Sequence, residues 1–189
     1  MIDDVINKLN EVIAKQQEEI EKVTKDLEQL ERAYENREVT EEEYNRYFER
    51  DNRYIANSNN EITNAQEIIN SCNDIVKARK EIRHLEEIKQ EYMTLYNNAS
   101  SLDDRNRLNK EIKDINSYIS DLNNKISAAK EVLNLHSEFL SSLEFDVEQV
   151  INDDSYEQLS DDSYQQAVDN DFDNNFSEVE KEEKEEEEI

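Results

Sequence analysis

The side chains that most often carry chemistry are scarce in this sequence. The 189-residue chain has one cysteine, Cys72, and two histidines, His84 and His136. A reactive thiol needs a histidine or basic cluster beside it, and a structural zinc site needs about four Cys or His ligands close together. Neither pattern is present, so we predict no catalytic residue, no cofactor and no zinc site. Cys72 and His136 fall at core positions of helical repeats, where we expect structural roles, with pH sensing as the alternative for His136. His84 lies beside such a repeat and should be exposed.

One segment near the carboxyl end resembles the calcium-binding loop of an EF-hand. Oxygen-bearing residues stand at the spacing of that loop: Asp169, Asp171, Asp173, Asn175, Ser177 and Glu180. Asn174 occupies the position where the loop needs glycine for a sharp turn. The lysine- and glutamate-rich segment that follows has no apolar face with which to pair. We therefore predict no metal site, and calcium binding at these six residues is the alternative.

The last part of the chain is acidic and carries aromatic residues at regular spacing. Residues 152–189 hold 16 of the 49 acidic residues and only two lysines, and residues 153–160 and 161–168 are near-copies of one octet. We predict a disordered tail whose apolar residues bind a protein partner with a basic surface. The predicted anchors are Tyr156, Leu159, Tyr164, Phe172 and Phe176. A tail that only solubilises the chain is the alternative.

The composition restricts both the fold and the classes of function. The chain contains no glycine, no proline and no tryptophan, and its formal net charge is −27. Without glycine there is no Gly-rich phosphate loop, no nucleophile elbow and no Asn-Gly hairpin, which disfavours most enzymes and sheet proteins. The negative charge repels nucleic acid and anionic membrane. We therefore predict a non-enzyme with no direct nucleic-acid partner and no membrane partner.

Apolar residues recur with heptad spacing over three long segments, which predicts an all-α fold. We expect an elongated antiparallel coiled coil or three-helix bundle, with helices at about 2–35, 41–97 and 102–150. Residues 1–151 would form this helical rod and residues 152–189 the disordered acidic tail. Gln16 is the one polar residue on the first heptad seam, where it should fix the register of the helices. The weakest point of the second helix should be residues 57–60.

The first turn carries a clear capping signal. Thr40 and Glu43 match the S/T-x-x-E capping box, and Asn36 is the predicted left-handed residue that closes the first helix. Residues 27–50, which read L-x-x-L and then V-T-E-E-E-Y, resemble the turn of helical-hairpin modules of the SHOCT type. The glycine of that family is replaced by Arg37 or Glu38. The resemblance implies a helix hairpin and oligomerisation, and we transfer no function from it.

The third segment shows the most regular repeat, six unbroken heptads from Leu108 to Val150. The first helix is shorter than the other two, so we expect a rod three helices thick at one end and two at the other. An outward-facing seam at the thin end, at about 78–122, would drive homo-oligomerisation. The residues expected there are Leu85, Ile88, Ile112 and Ile115.

Together these features favour a non-enzymatic interaction or assembly protein of scaffold or chaperone type. The composition and helical pattern resemble phage scaffolding proteins and tail-assembly chaperones, which implies a viral origin. The alternative is an acidic DNA mimic that inhibits a nucleic-acid-binding enzyme or a host defence complex. The single cysteine and the residues after Met1, which lack the pattern of a secretion signal, favour the cytoplasm, or the virion if the protein is viral.

Overall fold

The computed structural model describes residues 1–153, and all regular structure within them is helical. The helices are α1 (Ile2–Glu35), α2 (Glu41–Asn98), α3 (Leu102–Leu135), α4 (Ser137–Ser142) and α5 (Val147–Ile151). The all-α prediction is confirmed. The predicted bounds of the first two helices agree with α1 and α2 to within one residue.

α2 is the helix on which the others assemble. Its 58 residues span about 87 Å at 1.5 Å per residue. α1 packs antiparallel on the first half of α2, with Tyr34 stacked on Tyr44 at a centroid distance of 4.6 Å. α3 packs antiparallel on the second half and ends where His136 meets Glu67. The described unit is therefore two helical hairpins that share α2, and the expected rod of three helices at one end is wrong.

Gln16 sits on the α1–α2 seam, as the heptad pattern predicts. Its side-chain amide donates a hydrogen bond to the Glu61 carboxylate at 2.5 Å. α2 continues without interruption through residues 57–60, so the expected weak point is not a break. Ser58 is buried there, and its small side chain lets α1 lie close across this stretch.

The turn between α1 and α2 contains the predicted capping box. The Glu43 N–H donates to Thr40 Oγ1 at 3.2 Å, and the Thr40 N–H donates to Glu43 Oε2 at 2.9 Å. Hydrogen bonds from the Thr40 backbone and then from its side chain lower the pKa of Glu43. Because a depressed carboxyl pKa reflects a stabilised anion, the cap is complete only while Glu43 is ionised.

The left-handed residue in this turn is Arg37, not Asn36. Arg37 has φ 62°, whereas Asn36 has φ −77° and is helical. The Glu38 N–H bonds to the Ala33 carbonyl at 2.8 Å, and the Arg37 N–H bonds to the Tyr34 carbonyl at 3.0 Å. These two bonds form a Schellman motif, which places its left-handed residue one position after the C-cap. The prediction for Asn36 was therefore wrong by one residue.

The predicted third helix, 102–150, is interrupted twice. α3 ends at Leu135, α4 ends at Ser142, and Glu144 adopts φ 68°. The Phe145 N–H bonds to the Leu140 carbonyl at 3.0 Å, which closes α4 with a second Schellman motif. The prediction of one continuous helix was wrong because the heptad spacing of apolar residues continues across the turns. Leu140 and Val150 are both fully buried although they lie on different helices.

Asp146 starts the last helix. Its side chain accepts hydrogen bonds from the Glu148 and Gln149 backbone N–H groups, at 2.9 and 3.4 Å. An acceptor at this position satisfies amides that have no partner within the helix. The cap therefore explains why α5 begins at Val147 and does not continue α4.

The most deeply buried residues come from the start of α1, the middle of α2, the end of α3 and the two short helices. We call this set the junction core: Ile2, Val5, Leu9, Ile68, Cys72, Ile75, Leu133, Leu140 and Val150, all with 0% exposure. Ile68 and Ile75 are the largest of the junction-core residues on α2. They are buried because α2 has neighbours on two sides at this level.

Candidate functional site

The residues predicted to bind a protein partner or calcium all lie beyond the part of the chain that the structure describes. These are the partner-binding Tyr156, Leu159, Tyr164, Phe172 and Phe176, and the calcium-loop residues Asp169, Asp171, Asp173, Asn175, Ser177 and Glu180.

Cys72 lies in the junction core, as its heptad position predicts. Its exposure is 0%, and this burial raises the pKa of the thiol to about 12. A thiol is a nucleophile only as the thiolate. Cys72 is therefore an inert apolar residue at neutral pH.

His136 joins the end of α3 to the middle of α2. Its Nε2 lies 2.9 Å from Glu67 Oε2, and its side chain is 15% exposed. Within residues 1–153, no group of three or more His, Cys, Asp or Glu side chains is placed to hold a metal ion. The pair connects the residue between α3 and α4 to the middle of α2. His84 is half-buried, not fully exposed as its sequence position suggested.

A polar cluster that sequence reasoning missed holds the two ends of the helical unit together. Arg79 on α2 donates to the backbone carbonyls of Ile151 and Asp153, at 2.8 and 2.7 Å. The Asp153 carboxylate accepts the Ile2 N–H at 2.9 Å and lies 3.2 Å from the Met1 amino nitrogen. We call this set the junction clamp. Local sequence carries no signal for it, because Ile2 and Asp153 are 151 residues apart.

The opposite end of the α2–α3 hairpin has a large share of the exposed apolar side chains of the described unit. We define the hairpin tip as residues 88–118. Half of the ten large apolar residues that are exposed within residues 1–153 lie here: Met93, Leu95, Tyr96, Leu102 and Tyr118. Leu102 is 73% exposed. Surface apolar residues scattered singly are ordinary, but a cluster indicates an interaction site.

An open groove of about 370 Å³ runs between α2 and α3 at the hairpin tip. Its lining residues are Lys89, Met93, Tyr96, Asn97, Asn109, Ile112 and Asn116. Lys89 is the one charged residue among them. The groove therefore presents apolar carbon and neutral amides, which suit an apolar occupant rather than an ionic substrate.

Charge is distributed unevenly over the described helices. Residues 1–70 contain 18 acidic and nine basic residues, whereas the hairpin tip contains five of each. The tip is thus electrically balanced on a chain whose net charge is −27. At a balanced surface an approaching acidic molecule meets no net repulsion.

The residues predicted for self-association divide into two groups. Leu85 is only 3% exposed, because it packs in the seam between α2 and α3. Ile88, Ile112 and Ile115 are partly exposed, and Ile112 lines the groove. Met93 and Leu102 were missed because they flank the heptad seam, and Tyr96 because it lies on the seam beyond the residues predicted for self-association. They are uncovered because no third helix of residues 1–153 packs at this end.

No helix within residues 1–153 is long and apolar enough to cross a membrane. Comparison of the chain with protein-family models, with curated proteins and with solved structures yields no match.

Proposed function

We propose that this protein is a non-enzymatic interaction protein of scaffold or assembly-chaperone type. In this proposal, residues 1–153 set the geometry and residues 154–189 bind a partner with a basic surface. The observation that carries the proposal is the pairing of dense negative charge with evenly spaced aromatic residues in the last 36 residues.

The negative charge of residues 154–189 would speed the encounter with a basic partner. This segment has 15 acidic residues and two lysines. A field of one sign raises the rate at which an oppositely charged surface is met, often by tenfold or more. Charge alone is weakly selective, however, since any basic surface responds to it.

The aromatic residues would provide selectivity. Buried aromatic side chains dominate the binding energy of most protein interfaces. Tyr156 and Tyr164 lie eight residues apart, and Phe172 follows at the same interval. This regular spacing supports several anchors on one partner.

The helical unit supports a role in geometry. The last described residue, Asp153, is held by the junction clamp rather than left at a frayed helix end. Among the cysteine and histidines of residues 1–153, Cys72 is an inert thiol and His136 bonds Glu67 between helices. These observations support a structural role for residues 1–153.

The test compares three immobilised baits in extract from the source cells. The baits are the full chain, the chain ending at Asp153, and the full chain with serine at Tyr156, Leu159, Tyr164, Phe172 and Phe176. The third bait keeps every charge and so is the matched control. We expect a protein with a basic surface to be retained by the full chain and reduced about tenfold or more on the other two.

Each protein retained in this way is then purified and measured against the same three chains by titration calorimetry. Equal affinity for the full chain and the five-serine chain would show that the aromatic residues are not anchors. Equal affinity for the chain ending at Asp153 would remove the acidic segment from partner binding altogether.

A further inference from the structure

The apolar stripe on α2 is wider at the hairpin tip than one partner helix can cover. On α2 a heptad spacing runs through Ala78, Ile82, Leu85, Lys89, Tyr92 and Tyr96, of which Ala78 and Leu85 are buried. Leu85 on this seam is 3% exposed, but Met93 beside it is 40% exposed. A stripe limited to the seam suits a two-helix coiled coil, whereas a wider stripe is typical of a helix packed in a larger bundle.

α3 contributes the other wall of the same face. Leu102, Asn109 and Asn116 are spaced by seven residues and therefore share one side of the helix. Asn109 and Asn116 line the groove, and Leu102 extends the wall by one heptad toward the turn. We call the groove lining together with Leu102 the groove face.

The charge of the groove face and its surroundings indicates what covers it. A foreign partner drawn by the acidic parts of this chain would be basic and would favour residues 1–70 or 154–189. The hairpin tip has five acidic and five basic residues, so it offers such a partner no net attraction. The groove face itself has one charged residue, Lys89, and no carboxylate. A second copy brings the same nearly neutral, partly apolar face, which suits a contact between two identical surfaces.

The dimensions of the hairpin tip are sufficient for a weak dimer. α3 from Leu102 to Tyr118 is about 24 Å long, and two adjacent helices are about 20 Å wide. A contact of that size covers roughly 500 Å² on each copy, or about 1,000 Å² in total, which is the range of weak specific interfaces. Two hairpins packed face to face form a four-helix bundle, in which each helix gains a second neighbour.

We propose that two copies of the chain pair through the groove face, so that α2 and α3 from each copy form a four-helix bundle at the hairpin tip. Met93, Tyr96 and Ile112 of each copy pack against the groove of the other. Lys89 lies at a seam position, where a lysine restricts the register at some cost in stability. Its aliphatic stem packs in the bundle while the ammonium group reaches the rim.

This dimer does not depend on the proposed function of residues 154–189. A chain that fails to dimerise could still bind a basic partner through its acidic segment. A chain that fails to bind a partner could still dimerise. Measuring the dimer therefore tests the groove face alone.

The test is sedimentation velocity of the full chain at about 1 to 100 µM. We expect a species of twice the 22.4 kDa chain mass for the unmodified chain. Met93→Glu and Leu102→Glu each place a carboxylate on the groove face, so each should weaken the dimer by about tenfold or more. Both residues are already exposed, so circular dichroism should show unchanged helix content.

Tyr54→Glu is the matched control, because Tyr54 lies on α2 with 43% exposure but 34 residues before the hairpin tip begins. This variant should dimerise like the unmodified chain. Leu95→Glu tests the other flank of the tip and should also leave the dimer intact. The proposal is overturned if the unmodified chain is monomeric over the whole range, or if Met93→Glu and Leu102→Glu dimerise as well as Tyr54→Glu. Dissociation by Leu95→Glu alone would overturn the choice of face.

Discussion

At the scale of single residues, the absence of glycine has a local cost at two helix ends. Arg37 and Glu144 both occupy the left-handed position of a Schellman motif, with φ 62° and 68°. For a residue with a Cβ this conformation costs about 1 kcal/mol or more, and glycine adopts it freely. The chain therefore accepts strain at both turns in return for two sharp helix stops.

The first prediction follows from the strain at Arg37. Arg37→Gly should raise the free energy of unfolding by about 0.5 to 1 kcal/mol, because glycine relieves the left-handed geometry. Asn36→Gly is the control and should lower it, since Asn36 is helical with φ −77°. Urea denaturation followed by circular dichroism measures both. The reverse order of the two variants would assign the left-handed position to Asn36.

The second prediction concerns Cys72, whose thiol pKa is raised to about 12 by burial. At pH 9 an exposed thiol with a pKa of about 8.5 is mostly thiolate, whereas the folded-state thiol stays protonated. We expect Ellman's reagent to label the native chain at least about a hundredfold more slowly than the chain in guanidinium chloride. The raised pKa means that the folded chain holds the thiol proton more tightly than the unfolded chain does. The contribution of Cys72 to the free energy of unfolding is therefore complete below about pH 8.5 and is lost as pH rises toward 12. Rapid labelling of the native chain would contradict the burial.

At the scale of the elements, heptad spacing was a good guide to which residues are buried and a poor guide to where a helix stops. α1 and α2 were predictable because capping signals and apolar spacing agree at Thr40. In the third segment the spacing continued to Val150 while the backbone turned near His136 and Glu144. Asp146 followed three residues later by Gln149 is a capping signal in the sequence, and the apolar repeat obscured it.

The third prediction tests that cap. Asp146→Ala removes the acceptor for the Glu148 and Gln149 N–H groups and should lower the free energy of unfolding by about 1 kcal/mol. Hydrogen exchange should increase in residues 147–151. Asp146→Asn retains a capping oxygen and should stay within about 0.5 kcal/mol of the unmodified chain. Equal losses in both variants would mean that the charge, and not the cap, matters.

At the scale of the whole molecule, α2 carries two separate hairpins and the junction core is where they meet. The expected bundle of three helices at one end required α3 to extend beside α1, and its end at Leu135 prevents this. The same end explains the incomplete prediction of the candidate site. Ile112 and the region near 78–122 were foreseen, but the exposure of Met93 and Leu102 depends on which helices are absent from that end. The spacing of apolar residues within one segment does not show which other helices pack against it.

The fourth prediction compares the junction core with the α1–α2 hairpin. Leu133 is fully buried, whereas Leu27 is only half-buried on a seam between two helices. Leu133→Ala should lower the free energy of unfolding by about 3 to 5 kcal/mol, because it leaves a cavity among several helices. Leu27→Ala should cost about 1 to 2 kcal/mol, since water already reaches that site. Equal losses, measured by urea denaturation, would contradict a stability centred on the junction.

The junction clamp also has a topological consequence. The Ile2 N–H bonds to the Asp153 carboxylate at 2.9 Å, so the first and last residues of the helical unit are neighbours in space. The path of the chain through the five helices therefore starts and ends at the same place in the structure. A short linker from residue 153 to residue 1, with new ends opened between Asn98 and Leu102, would keep every helix and every pair of packed helices. The packing of these helices therefore does not depend on the point at which the chain is opened.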